Sequence, residues 1–68
     1  MSVQIHLNGE RFDLPEPRTV AELLEHLDLR PEQVAVEVNE ALVPRDRRGE
    51  IVLQLGDRVE FVTLVGGG

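Results

Sequence analysis

The groups that could do chemistry in this 68-residue chain gather at its end, in Val65-Gly66-Gly67-Gly68. Glycine has no Cβ, so three in succession make a strand of backbone thin enough for a channel that excludes side chains. Fully extended, the four residues reach about 13 Å, far enough to carry the Gly68 carboxylate into another protein's active site. The same composition also suits a frayed terminus or a leftover expression tail. The rest of the chain must decide between the two.

Other candidates are sparse. His6 and His26 are the only side chains that titrate near neutral pH, and two histidines without a third ligand make no metal site. The acidic residues are dispersed and pair into no evident acid/base couple, while Ser2 and Thr63 lack a recognisable activating base. There is no cysteine, which excludes a disulfide framework, a thiolate metal site and a catalytic thiol. All cations are arginines, so no side-chain amine is available for a Schiff base or an isopeptide branch. Thirteen acidic residues against seven arginines give a formal charge of −6, which repels phosphate backbones and argues against nucleic-acid binding. The one basic cluster, Arg45-Asp46-Arg47-Arg48, is either a solvated turn or a docking contact for an acidic surface. No residue here supports an enzyme in its own right.

The elements that must position the tail read clearly. Val3, Ile5 and Leu7 alternate with polar residues as in a half-buried strand, and Asn8-Gly9 is a two-residue hairpin signal. That loop pairs Leu7 with Glu10, Ile5 with Phe12 and Val3 with Leu14, which puts the apolar residues of both strands on one face. Pro15 and Pro17 end the second strand. Thr19-Val20-Ala21-Glu22 is a capping box, and Val20, Leu23, Leu24 and Leu27 form one stripe of a short helix. Pro31 predicts that this helix stops near residues 28–30. Val34 to Val38 reads as a central strand, Asn39-Glu40 as a turn, and Ala41-Leu42-Val43 as a short strand. Ile51, Leu53 and Leu55 are expected to supply further apolar contacts, and Gly56-Asp57 to form a turn.

The last strand is predicted over Arg58 to Leu64, running directly into the tail. Its alternation sets Val59 and Phe61 on one face and Val62 and Leu64 on the other. If the first pair faces the core, the second is either a docking patch beside the tail or lies beneath a loop. The order of elements predicts an α+β, β-grasp-like domain, a mixed four- to five-stranded sheet with one main helix across one face. A single domain over residues 1–68 is expected, with 65–68 as a flexible tail. The alternating, uncharged start lacks a signal peptide's features and no stretch is long enough to span a bilayer, so the expectation is a soluble, cytoplasmic protein.

Residues 6–10 (HLNGE), 19–24 (TVAELL), 34–39 (VAVEVN), 43–45 (VPR), 56–60 (GDRVE) and the terminal VGGG together resemble the ThiS family, ubiquitin-like sulfur carriers of bacterial thiamine biosynthesis. The resemblance runs over nearly the whole chain in the right order. It implies a ubiquitin-like β-grasp fold and a cycle on Gly68. An activating enzyme of the ubiquitin E1-like, ThiF-like class would use MgATP to convert the Gly68 carboxylate into an acyl-adenylate. A cysteine desulfurase persulfide would supply sulfur for a thiocarboxylate, and a ThiG-like thiazole synthase would consume it. Gly66 and Gly67 would let the tail thread into these partners, with Val62, Leu64 and Arg45 as candidate docking residues. No cofactor or metal would be bound by the carrier itself. The same fold and tail also serve carriers for molybdopterin or tRNA thiolation, which resemble this chain less well in the Asn-Gly and Val-Pro-Arg segments. A ubiquitin-like protein modifier and an inert β-grasp interaction module are the readings from other classes.

Overall fold

The computed structural model describes residues 2–64. Strands β1 (Val3–Leu7) and β2 (Glu10–Leu14) form a hairpin, helix α1 (Val20–His26) follows, and β3 (Val34–Val38), β4 (Ala41–Leu42) and β5 (Arg58–Thr63) complete the sheet. The strand order is β2-β1-β5-β3-β4, with β1 and β5 parallel and the other neighbours antiparallel. A mixed five-stranded sheet crossed by one helix is the expected β-grasp arrangement.

Both hairpins are built by two-residue loops. Leu7 pairs with Glu10, Ile5 with Phe12 and Val3 with Leu14, the register that the alternation demands. The first loop is Asn8-Gly9 with φ of 50° and 85°, the left-handed geometry that matches strand twist and suits Asn-Gly. The β3–β4 loop adopts the same geometry with Asn39 at 52° and Glu40 at 71°, so a residue with a Cβ occupies a position that favours glycine.

At the start of α1 every free backbone donor has a partner. Val20 N–H donates to Ile51 C=O (2.9 Å), Ala21 N–H to Arg48 C=O (3.0 Å) and Leu23 N–H to Thr19 C=O (2.9 Å). The capping box supplies the rest: Glu22 N–H donates to Thr19 Oγ1 at 3.1 Å and Thr19 N–H to Glu22 Oε1 at 2.8 Å. The helix closes at His26, earlier than Pro31 alone predicts. Asp28 turns left-handed (φ 60°), and Asp28 N–H and Leu29 N–H donate to the carbonyls of Glu25 and Leu24, a Schellman closure. Pro31 instead opens a 3-10 turn over Pro31–Gln33, which the sequence reading does not anticipate.

The core is one layer between helix and sheet. Ile5, Leu14, Val20, Leu23, Leu24, Val34, Val36, Leu53 and Val59 are buried together, with Phe12, Leu27, Ile51 and Phe61 packed around them. Fully burying one such side chain is worth about 1.5–3 kcal/mol. Two expectations need correction. Val43 lies beyond the short strand β4 but is buried, its N–H donating to Val36 C=O at 2.8 Å. Leu55 makes no core contact: it is 75% exposed, because the turn closed by Asp57 N–H to Gln54 C=O lifts it into solvent. Among the described residues no helix is long and apolar enough to cross a membrane.

Candidate functional site

Residues 65–68 follow β5 in the chain with only Leu64 between, so the site is built from β5 outward. This strand lies in the centre of the sheet, pairing with β3 from Val59 opposite Val38 to Thr63 opposite Val34. Its pairing with β1 is short, and an asparagine side chain extends it. Asn8 N–H donates to Val59 C=O at 2.9 Å, while Asn8 Oδ1 accepts from Phe61 N–H at 2.8 Å, replacing a ladder bond after β1 has turned away. Asn39 does the same on the β3 side, at the strand's first residue. Its Oδ1 accepts from Arg58 N–H at 2.9 Å, and its Nδ2 donates to Asp57 Oδ1 at 3.1 Å. The two turn asparagines thus hold the first four residues of β5, from opposite sides.

Strand β5 stops at Thr63, one residue short of the predicted end. Leu64 N–H reaches Gln33 C=O (2.8 Å) in the 3-10 turn, continuing the β3–β5 register one pair beyond the strand's end. The neighbouring carbonyls of that turn are also engaged. Pro31 C=O accepts from Arg48 Nη1 at 2.7 Å, Glu32 C=O from Arg45 Nη2 at 3.4 Å, and Val34 C=O from Arg48 Nη2 at 2.6 Å.

Arg48 is therefore no part of a solvated turn. It is 5% exposed, its Nε has no acceptor among the described residues, and no carboxylate there forms an ion pair with it. Burial, and then the Arg45 cation, hold its pKa below the ordinary arginine value. Arg45 and Arg47 of the same cluster are exposed. No sequence pattern marks Arg48 off from its neighbours; a carbonyl-binding arginine is visible only once the Pro31–Gln33 turn lies against it.

Val62 (56% exposed) and Leu64 (50% exposed) are not covered by a loop. Val62 is opposite Ala35, and Glu37 lies opposite both Glu60 and Leu42, so these residues share the sheet face away from α1. The structure thus adds Ala35 and the 66% exposed Leu42 to the predicted apolar patch, and sets two carboxylates directly across from each other beside it. That grouping depends on strand register and cannot be read from spacing. Arg45 reaches Glu32 C=O near the tail's exit. His6 is exposed on the open face opposite Arg58, and His26 meets Phe12 edge-on at 6.3 Å between ring centroids. Among the described residues no cluster of three metal-ligating side chains exists. Gly66, Gly67 and Gly68 lie outside the described residues.

Comparisons with known proteins bear on the whole chain. The chain is 33% identical over 66 residues to the sulfur carrier protein ThiS of Escherichia coli, covering 97% of this chain and 100% of that protein. It is 46% identical over 66 residues to a thiazole synthase of Magnetococcus marinus, where the matched segment is 20% of the relative's length. A crystal structure of the thiamine biosynthesis protein ThiS from Geobacter metallireducens superposes with a TM-score of 0.85 at 32% identity, covering 97% of this chain and all of that one. The fold is thus the ubiquitin-like β-grasp of ThiS. Because the ThiS family profile also matches from residue 4 through residue 68, this chain belongs to the ThiS family.

Proposed function

We propose that this chain is a cytoplasmic sulfur carrier of thiamine biosynthesis, and that its reacting group is the Gly68 carboxylate. One observation carries the reading: the family match runs to residue 68, through the three glycines, and the chain covers the full length of a sulfur carrier. A carboxylate is a poor acyl donor, because its charge is delocalised and oxide does not leave. In the proposed cycle a carboxylate oxygen attacks the α-phosphorus of MgATP on a ThiF-like, E1-like activating enzyme, releasing pyrophosphate and forming the acyl-adenylate. A persulfide sulfur supplied by a cysteine desulfurase displaces AMP. A thiol reductant then cleaves the S–S bond and frees the Gly68 thiocarboxylate. A ThiG-like thiazole synthase takes the sulfur and returns the carboxylate. The carrier performs none of these steps and is a co-substrate of other enzymes.

Support for the thiazole synthase partner comes from the relative in which a similar segment forms one fifth of a protein of that name. Support for docking comes from the open sheet face, where Ala35, Leu42, Val62 and Leu64 surround the Glu37–Glu60 pair, with Arg45 by the tail's exit. Like charges directly opposed across a ladder are unfavourable, and a partner's cation would relieve them. Gly66 and Gly67 would let the tail enter the partners' channels.

The test is an intact-mass measurement after incubation with MgATP, the activating enzyme and a sulfide source. The expected product has one C-terminal oxygen replaced by sulfur, and deletion of Gly68 abolishes it. An unchanged mass with a demonstrably active enzyme refutes the carrier reading; attachment to cellular lysines would replace it with the modifier reading.

A further inference from the structure

The buried cation Arg48 is unused by any step above. Its guanidinium sits among carbonyls: Pro31 C=O on Nη1 and Val34 C=O on Nη2, at 2.7 and 2.6 Å, with Arg45 on the intervening Glu32 C=O. The remaining carbonyl of the run, Gln33, is the acceptor for Leu64 N–H, the last described N–H of the chain. The Arg48 backbone carbonyl in turn accepts from Ala21 N–H at the start of α1. Arg48 thus ties this turn to β3 through its side chain and to the helix through its backbone carbonyl.

The fork geometry explains why an arginine stands here. Two nitrogens of one rigid plane hold two carbonyls three residues apart, which a single ammonium cannot reproduce with the same geometry. Charge-assisted hydrogen bonds are the stronger kind, and in a buried site they fix orientation as well as add stability. Gln33 C=O lies between the two clamped carbonyls and accepts from Leu64 N–H in the register that continues the β3–β5 pairing, so the clamp holds the acceptor's side of that contact.

We propose that Arg48 is a positioning residue for the reactive tail: by clamping the Pro31–Val34 turn, it fixes the point and direction in which the chain leaves β5. The consequence for sulfur transfer rests on the carrier reading, whereas the clamp itself can be tested without it.

The experiment compares full-length wild type with Arg48→Met and Arg48→Lys, first by amide hydrogen exchange and then as substrates of the activating enzyme. In folded Arg48→Met, Leu64 N–H should exchange about tenfold faster while Val59 and Phe61 N–H keep their protection, the scale expected for loss of one hydrogen bond's local support. The KM for thiocarboxylate formation should rise about tenfold with kcat retained, the factor corresponding to ordering one further backbone residue on binding. Arg48→Lys should recover part of both effects. Unchanged Leu64 exchange and unchanged KM in folded Arg48→Met overturn the proposal.

If Arg48→Met does not fold, Leu64→Pro against Leu64→Ala decides. Both lose the leucine side chain, and only proline loses the N–H that reaches Gln33. A higher KM for the proline variant supports the clamp, and equal values overturn it. Failure of wild type to be thiocarboxylated sinks the carrier reading alone, since Leu64 exchange still reads the clamp.

Discussion

Glu22 accepts a hydrogen bond from Thr19 N–H at 2.8 Å, and this bond first, then the bond to the Thr19 side chain and the nearby Arg18 cation, outweigh desolvation and lower its pKa from 4.5. A carboxylate depressed in the folded state adds stability above its unfolded pKa and loses it as the pH falls through the folded value. Glu22→Gln should therefore lower the thermal midpoint at neutral pH, and the difference from wild type should vanish as the pH falls below the ordinary glutamate range. Midpoints measured from about pH 2 to about pH 7, on both sides of that range, check both parts. Glu40 makes the opposite case, because its φ of 71° is unfavourable for any residue with a Cβ. Glu40→Gly should stabilise by about 1 kcal/mol, raising the midpoint of a domain this size by about 4–8 °C.

At the scale of elements, α1 is only seven residues long, too short to persist alone in water. It holds because its capping box and the 48–51 segment satisfy its first turn, and because Val20, Leu23 and Leu24 are completely buried. Leu23→Ala should cost about 2–5 kcal/mol, comparable with the ~3–5 kcal/mol a core of this size supplies, so denaturant unfolding should show a largely unfolded chain at room temperature. Strand β5 is organised differently. It has partners on both sides, yet its β1 pairing is completed by the side chain of Asn8. Asn8-Gly9 is legible in the sequence as a turn signal, but the asparagine's second task is not, because Phe61 lies 53 positions away.

At the scale of the whole molecule, the buried core lies on one face of the sheet and the proposed docking surface on the other. Glu60→Lys should test this, since it turns a like-charge cross-strand pair into an opposite one. Stability should rise by about 0.2–1 kcal/mol, while thiocarboxylate formation becomes less efficient through a higher KM for the activating enzyme. A destabilised variant with normal kinetics would contradict both halves. Gly67→Val should impair thiocarboxylate formation and leave the thermal midpoint nearly unchanged, because the buried core lies between Ile5 and Val59.

Much of this protein is determined locally and so can be read from its sequence. The first hairpin's register, the capping box, the helix stripe and the inward face of β5 each follow from spacings of a few residues, where backbone geometry leaves little choice. The absence of cysteine and lysine likewise removes side-chain thiol and amine chemistry, and the resemblance to the family is what directs the proposal to the Gly68 carboxylate. Only the tertiary structure decided which segments lie side by side. Arg48 looks like its solvated neighbours Arg45 and Arg47 until the Pro31–Gln33 turn packs against it, and Leu55 looks like a core residue until its turn lifts it away. Likewise Ala35, Val62 and Leu42 become one surface only through the registers of β3 with β5 and β4. Such facts depend on contacts between distant parts of the chain, and local periodicity carries no information about them.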